Sequence, residues 1–395
     1  MNTQTETILP FKLNFTGAYL EIRALKLIDN DLYIGGQFGW LENNNYSVLG
    51  FNVNTGAVLN WYPPKLGTVE TIEANSQFVF VGGNLTEPTS GMGRQNLFAI
   101  NRITGTLSNW APNPSSAVKA LHLTNGQLYV GGSFTTISGQ TRKKAASYNV
   151  SALNLTSWNP DANGDVSSIH LKSGSIWLGG YFSSVGGVSR KLLAGVDPIT
   201  GSVNINPNSS FYDWGGWTIN TITSKTCKLF LGGSFDAPNT SLCTMLSVFD
   251  LSTNTIAPPN SFCIKFDGFY PVILSSAITG NDLFFAGRFE KINSNTKSTN
   301  IGRLRFPANY FVPCTISNCG TAVALSSTVD DYSTGQYLQK TNLGISATNK
   351  VTGTSQVTLQ SNSSVLLLPN SNDGKGFTAK PNSGGYFKAQ IGGCP

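Results

Sequence analysis

Leu128-Tyr129-Val130-Gly131-Gly132-Ser133-Phe134 decides the reading of this chain, because versions of it return five more times. The copies are Leu32 to Phe38, Phe78 to Asn84, Ile176 to Phe182, Leu229 to Phe235 and Leu283 to Phe289. With Gly35, Gly82, Gly131, Gly179, Gly232 and Ala286 as markers, the intervals are 47, 49, 48, 53 and 54 residues. That period belongs to one blade of a propeller or one unit of a solenoid. Each repeat reads as four strands. In the third these are Val118 to Leu123, Leu128 to Phe134, Ala145 to Val150 and Leu155 to Trp158, with a polar loop running up to Lys144.

Turn chemistry supports the division. The first two strands are joined at Asp29-Asn30-Asp31, Asn75-Ser76, Asn125-Gly126, Ser173-Gly174, Ser224-Lys225 and Gly280-Asn281, mostly residues that tolerate positive φ in tight hairpins. A Gly-Gly pair inside a strand loses backbone entropy and packing, so it implies a bulge or the close approach of another backbone. Trp61, Trp110 and Trp158 recur at the ends of the fourth strands, each followed by Pro63, Pro112 or Pro160, and read as packing residues between repeats.

The sixth repeat has no fourth strand after Ile301 to Phe306. A matching segment stands at the other end, where Asn14-Phe15 within Ile8 to Phe15 occupies the place of Asn60-Trp61 and Asn109-Trp110. An N-terminal strand completing the last blade would close the ring and remove two exposed edges. The expected fold is therefore all-β: a six-bladed β-propeller over residues 8–306, after a short N-terminal stretch of 1–7. A linker at 307–313 then leads to a small β-rich domain at 314–395.

Composition agrees. Gly at 42, aromatics at 11% and only 12% charged residues suit short strands and turns better than amphipathic helices. The net charge of +6 is spread along the chain with no Lys/Arg cluster, which argues against nucleic acid as partner. No run of about 18 apolar residues is present, so no transmembrane segment is expected. Met1 to Thr7 lacks the basic and apolar regions of an export leader. No Walker loop, Gly-x-Ser-x-Gly elbow or His-Glu-x-x-His is found, and no cofactor is expected.

Val130-Gly-Gly-Ser-Phe-Thr-Thr-Ile-Ser-Gly-Gln-Thr-Arg142, and the Val185-Gly-Gly-Val-Ser-Arg190 loop, resemble the delta-60 type of β-propeller repeat. The resemblance implies a propeller of exported or surface proteins and carries no catalytic residues. From Cys314 the composition shifts to Ser, Thr, Asn and Gly with short apolar runs. Leu366-Leu-Leu-Pro369, Gly376-Phe-Thr-Ala379 and Ile391-Gly-Gly-Cys394 resemble the three-coathanger stack domain of exported Bacteroidota proteins, often sent through the type IX route. Asn370 to Lys375 depart from that pattern. The resemblance implies an extracellular or outer-surface location, with possible association with the outer membrane or secretion machinery.

Six cysteines, at 227, 243, 263, 314, 319 and 394, suit an exported protein. Cys394 is expected to pair with Cys314 or Cys319, and Cys243 with Cys263, with a free-thiol reading left open. Counting nine residues back from each marker places Lys26, Glu73, His122, His170 and Thr223 in one ring on the innermost strands. Such a ring either lines a watery channel or holds a metal or anion through Glu73, His122 and His170. Asp161-Ala-Asn163-Gly-Asp165 has oxygen ligands at alternate positions but Lys172 at the twelfth, so it reads as a turn.

Two loops concentrate aromatics: Tyr212, Trp214 and Trp217 before the fifth repeat, and Phe269 and Tyr270 before the sixth. Rings of this kind stack on sugars, form protein hot spots, or pack over the propeller face. The expected function is a non-catalytic binding or scaffold propeller for a glycan or protein at the cell surface. The alternatives are a carbohydrate-active hydrolase or lyase at the channel mouth and a purely structural surface component.

Overall fold

The computed structural model describes the backbone of residues 16–311, apart from 41–43, 62, 88–92, 206–216, 237–243, 257–265, 268–270, 290, 293–295, 298–299 and 308–309; beyond 311 it describes eight strands. No helix is found among the described residues. The chain divides into two compact units. One comprises 1–223, 230–249 and 255–306; the other comprises 224–229, 250–254 and 307–395.

Each repeat forms its own antiparallel sheet, in chain order from the inner strand outward. The first contains Thr16–Ile28, Asp31–Trp40 and Asn44–Asn52; the second Gly67–Ala74, Phe78–Thr86 and Gln95–Asn101. The third contains Val118–Thr124, Gln127–Gly132, Ala145–Asn149 and Asn154–Leu155; the fourth Asp165–Lys172, Ser175–Tyr181, Leu193–Val196 and Val203–Ile205. Thr218–Lys225, Lys228–Asp236, Thr244–Asp250 and Thr255–Ile256 make the fifth, and Val272–Thr279, Asp282–Arg288 and Ile301–Arg305 the sixth.

Both anticipated reasons for the paired glycines hold, one for each glycine. A Cβ on Gly131 would lie 2.7 Å from Val166 Cγ1 of the next sheet, and one on Gly35 would lie 2.5 Å from Val69 Cγ1. The first glycine thus opens the slot into which the next sheet's apolar knob fits. A Cβ on Gly132 would lie 2.2 Å from the Ala117 carbonyl of its own sheet, beside the register shift between Val118 and Ala120. The second glycine therefore admits a bulge. Through this packing Ile72, Leu121, Ile169 and Ile222 are buried to 6–7% exposure, whereas Leu25 of the first sheet is 62% exposed. Leu27, Leu274 and Ile301 are exposed as well. Among the described inner-strand residues, the large apolar side chains left in water, Ile22, Leu25, Leu27 and Leu274, lie on the first and sixth sheets.

The tryptophans tie one repeat to the next. Nε1–H of Trp61 donates to the Asn101 carbonyl at 2.9 Å, that of Trp110 to Leu153 at 3.0 Å, and that of Trp158 to Asp197 at 2.9 Å. Trp61 and Trp158 also stand edge-on against Tyr33 and Tyr129, each with ring centroids 5.1 Å apart. Holding the indole across this gap leaves little of the expected fourth strand. It shrinks to Asn154–Leu155 in the third sheet and to single bridges, Phe51 to Val58 and Ile100 to Leu107, in the first two. The Trp-x-Pro runs at 61–63, 110–112 and 158–160 end it, since proline cannot donate to a ladder.

Three further expectations need correction. The polar loop before Lys144 contains a small hairpin, Thr136–Ile137 with Gln140–Thr141, which turns at Ser138 and Gly139 with φ of 50° and 70°. It drives Ile137 into the core at 0% exposure, as Ser184–Val185 with Val188–Ser189 does for Val185. The fifth repeat's first turn falls at Thr226 and Cys227, after the inner strand has run through Ser224 and Lys225; Thr226 takes the positive φ, 48°. Cys227 is disulfide-bonded, so it is not a free thiol, and its partner lies outside the described residues. Cys243, Cys263, Cys314, Cys319 and Cys394 also lie outside them, as does the segment 8–15.

In the second unit, strand pairing is parallel and in register. Val323–Leu325 pairs with Ile345–Ala347, which pairs with Val365–Leu367. Gln336–Thr341 pairs with Gln356–Ser361, which pairs with Tyr386–Ile391, and Lys350–Gly353 pairs with Thr378–Pro381. The expected linker is seated within the same unit: Lys225 lies over the Phe311 ring at 4.4 Å and Lys228 over Tyr310 at 5.1 Å.

Candidate functional site

The inner strands carry Lys26, Glu73, His122 and His170 at matching register positions, and the structure shows what Lys26, Glu73 and His122 bind. Lys26 pairs with the Glu73 carboxylate, which also accepts from the backbone of Leu123 in the next repeat. Nε2 of His122 accepts the Leu171 N–H at 3.3 Å, again one repeat on, so the proton of the neutral ring is assigned to Nδ1. Two residues earlier on the same strands, hydroxyls do the same. Thr71 Oγ1 accepts from Leu121 N–H at 3.2 Å, Ser168 Oγ from Ile222 at 3.0 Å, and Thr221 Oγ1 from Ser276 at 3.2 Å.

An innermost strand has one edge with no ladder partner, and its N–H groups must be satisfied. Side chains of the preceding repeat meet that need here. Hydroxyl, imidazole and carboxylate groups are interchangeable in the role because each presents an acceptor, which explains why the ring varies from repeat to repeat. The small residues at the Thr71, Ser168 and Thr221 positions were thus part of the pattern, and their hydroxyl oxygens were the signal for it.

Burial sets the charge states. Both His122 and His170 are pushed down to about 4, His122 by desolvation first and then by His170 and Lys26, and His170 by desolvation and then Lys172. The two rings lie 5.6 Å apart between centroids. Desolvation raises the Glu73 carboxyl above its ordinary value, with Lys26 opposing the rise. Among the described residues, no three His, Cys, Asp or Glu side chains gather closely enough to hold a metal ion. Thr223 stands half-buried in the same ring. Of the aromatic candidates, Trp217 is half-buried, while Tyr212, Trp214, Phe269 and Tyr270 fall outside the described residues.

A second polar grouping was not read from sequence as a site. Asp165 accepts from Lys119 Nζ at 2.8 Å, Lys144 Nζ at 3.1 Å and Ser133 Oγ at 2.6 Å, all from the third repeat. Burial alone would raise this carboxyl, but those donors outweigh it and hold it below the usual carboxylate value. Asn163 Oδ1 caps the N–H groups of Ser183 and Ser184, both at 2.9 Å, so the Asp161 to Asp165 stretch is a strap holding the fourth repeat's small hairpin. An open pocket of about 440 Å³ between the first two repeats is lined by Asp31, Asn60, Trp61, Arg102 and Ile103. Its guanidinium is already held, with Nη2 donating to Asp29 at 2.9 Å and to Asp31 at 3.0 Å.

Comparison with known families gives one match: residues 123–149, within the third repeat, match the domain of unknown function DUF5122, described as a beta-propeller. The chain is of the β-propeller type. Solved structures it resembles include the WD40 repeats of RRP9, at TM-score 0.45 and 12% identity over 73% of this chain and 82% of that one. The Neurospora crassa Pan2 WD40 domain matches at TM-score 0.44 and 12% identity, over 68% and 72%. The computationally designed Ika8 protein matches at TM-score 0.43 and 15% identity, over 72% and 71%. No curated protein matches the chain. No helix is long and apolar enough to cross a membrane among the described residues.

Proposed function

We propose that this propeller is a non-catalytic binding scaffold of the outer cell surface that recognises a glycan or protein through its loops. One observation carries the reading: the polar groups at its centre that invite chemistry are engaged in holding neighbouring repeats. Glu73 is bound by Lys26 and a backbone N–H, and His122 by the Leu171 N–H. A general acid or base needs a group able to reach a substrate proton; these are turned to the fold. Recognition then falls to the rims, where loops vary in length while the sheets stay constant.

The finer architecture belongs to the same reading. The six sheets close into one ring, with segment 8–15 adding a fourth strand to the sixth sheet. The uncovered Leu25 supports it, since its counterparts Ile72, Leu121, Ile169 and Ile222 are buried by the preceding sheet. Residues 314–395 form a stack domain of the kind carried by exported Bacteroidota proteins, supported by the parallel in-register pairing of their strands.

Glycan-array binding of the intact protein, compared with Trp217→Ala, tests the function. A defined set of glycans bound by the intact protein and lost or weakened about tenfold in the variant is expected for an aromatic sugar contact. Absence of any glycan signal removes the glycan form of the proposal.

A further inference from the structure

Along the chain the basic residues look scattered, yet the repeat gathers a group of them. Lys119, Arg142, Lys143, Lys144, Arg190 and Lys191 all belong to the strand ends and small hairpins on one rim of the third and fourth repeats. Only two carboxylates, Asp161 and Asp165, occupy the same stretches, leaving a net charge of +4 against +6 for the whole chain. The contacts show that these groups share a place. Lys119 and Lys144 converge on Asp165, and Lys143 Nζ lies 3.2 Å from Asp161. The Asp161 carbonyl in turn accepts the Gly186 N–H at 3.2 Å, at the tip of the hairpin that leads into Arg190 and Lys191. The corresponding rim of the first two repeats is balanced among the described residues, with Arg23, Lys65 and Arg94 against Glu21, Glu70 and Glu87.

The rest of this rim sector suits a sugar chain. Its exposed surface is rich in hydroxyl and amide groups, including Thr135, Gln140, Thr141 and Ser189. Tyr181, in the place that Ser133 holds one repeat earlier, is 55% exposed and offers a ring face to water. Both guanidinium groups are held by uncharged backbone carbonyls, Arg142 by Thr141 at 2.9 Å and Thr156 at 3.1 Å and Arg190 by Ser189 at 2.6 Å, contacts that steady the groups without neutralising their charge. Cations, hydroxyl partners and an exposed ring together fit a polymer that carries both anionic groups and apolar sugar faces. A nucleic acid would call for a longer basic track able to neutralise several successive phosphates.

We propose that the rim of the third and fourth repeats is a binding site for an anionic polysaccharide bearing carboxylate or sulfate groups. The assignment rests on the scaffold reading above and names its ligand class and its place.

Affinity electrophoresis of the full chain in gels containing polygalacturonate, dextran sulfate or neutral dextran tests it, at about 50 mM and about 500 mM salt. Retardation by at least one charged polymer, lost at high salt and absent with neutral dextran, is expected; the polymer that retards tells carboxylate from sulfate. Lys143→Glu/Lys191→Glu should weaken binding about tenfold or more, while Lys65→Glu, a charge reversal on the balanced sector, should change it less than about twofold. The neutral pair Lys143→Ala/Lys191→Ala, at exposed positions, guards against misfolding and should show the same direction. No retardation by either charged polymer overturns the proposal, as does equal weakening by the Lys65 variant, or tighter binding of a single-stranded oligonucleotide than of either polymer. Should array binding through Trp217 survive while charged polymers fail, the scaffold reading stands and this site falls.

Discussion

Gly131 and Gly132 show how much one missing methyl decides. A methyl at 131 would have to displace Val166 of the next sheet, whereas one at 132 would meet a backbone oxygen that cannot move without undoing the bulge. Overpacking a core typically costs about 1–3 kcal/mol. Gly131→Ala is therefore expected to lower stability by roughly that much and Gly132→Ala by more, read as the shift of the urea unfolding midpoint. An order reversed between the two would contradict the separate roles given to them. The pair was legible in the sequence because a steric demand leaves a residue type behind. The acceptors at Thr71, Ser168 and Thr221 were harder to read, since several residue types can supply an oxygen to a free N–H and no single letter recurs.

The histidines carry a pH dependence with a definite sign. Their folded values near 4 lie below the unfolded value of about 6.5, so between those limits the unfolded chain holds more protons. Stability from this source is complete above about pH 6.5 and is lost as pH falls toward 4, by up to about 1.4 kcal/mol per pH unit per histidine. Glu73, raised by burial, acts in the opposite sense: its contribution is largest where it is protonated and declines as pH rises through its folded value. His122→Gln keeps an acceptor for Leu171 without titrating, so its melting temperature should fall less between pH 6.5 and 4 than that of the parent chain. Equal slopes would show that His122 does not titrate as described.

At the scale of elements, the inner three strands and their turns were legible from period-2 patterning and turn residues, and the third repeat's first strand matches to one residue. The fourth strand was overread. The apolar run Leu155 to Trp158 looks like strand, but Trp158 spends its indole N–H on Asp197 of the next repeat and leaves only two residues to pair. A local pattern cannot reveal that a side chain is needed elsewhere. The small hairpins were hidden for a related reason. Thr136 and Gln140 to Thr141 are exposed, so the sequence looks polar, and only Ile137 reports the burial. The basic rim shows the same limit on function: Arg142-Lys-Lys144 and Arg190-Lys191 stand far apart in the chain, and only the packed repeats link their hairpins, through Lys143 on the Asp161 carboxylate and the Gly186 N–H on the Asp161 carbonyl.

At the scale of the whole molecule, the repeat makes each sheet both knob and slot, and the chain's first knob and last slot remain to be matched. Four inner-strand residues are almost fully buried by the preceding sheet, while Leu25 is not. Covering a leucine is worth about 1.5–3 kcal/mol, so closure is favoured by the surfaces it would remove from water. Ala286 stands where every other repeat has glycine, so its methyl fills part of the slot that receives the next knob. In the closed ring proposed above, this joint would be looser than the others, and segment 8–15 is the element proposed to secure it.

Hydrogen–deuterium exchange of the intact protein, compared with a chain lacking residues 1–15, tests that closure most directly. The account predicts slow exchange in Ile8 to Phe15 and in Ile301 to Arg305, with the latter turning fast once the N-terminal segment is removed. Exchange of 8–15 within seconds in the intact chain, or protection of 301–305 unchanged by the deletion, would contradict it.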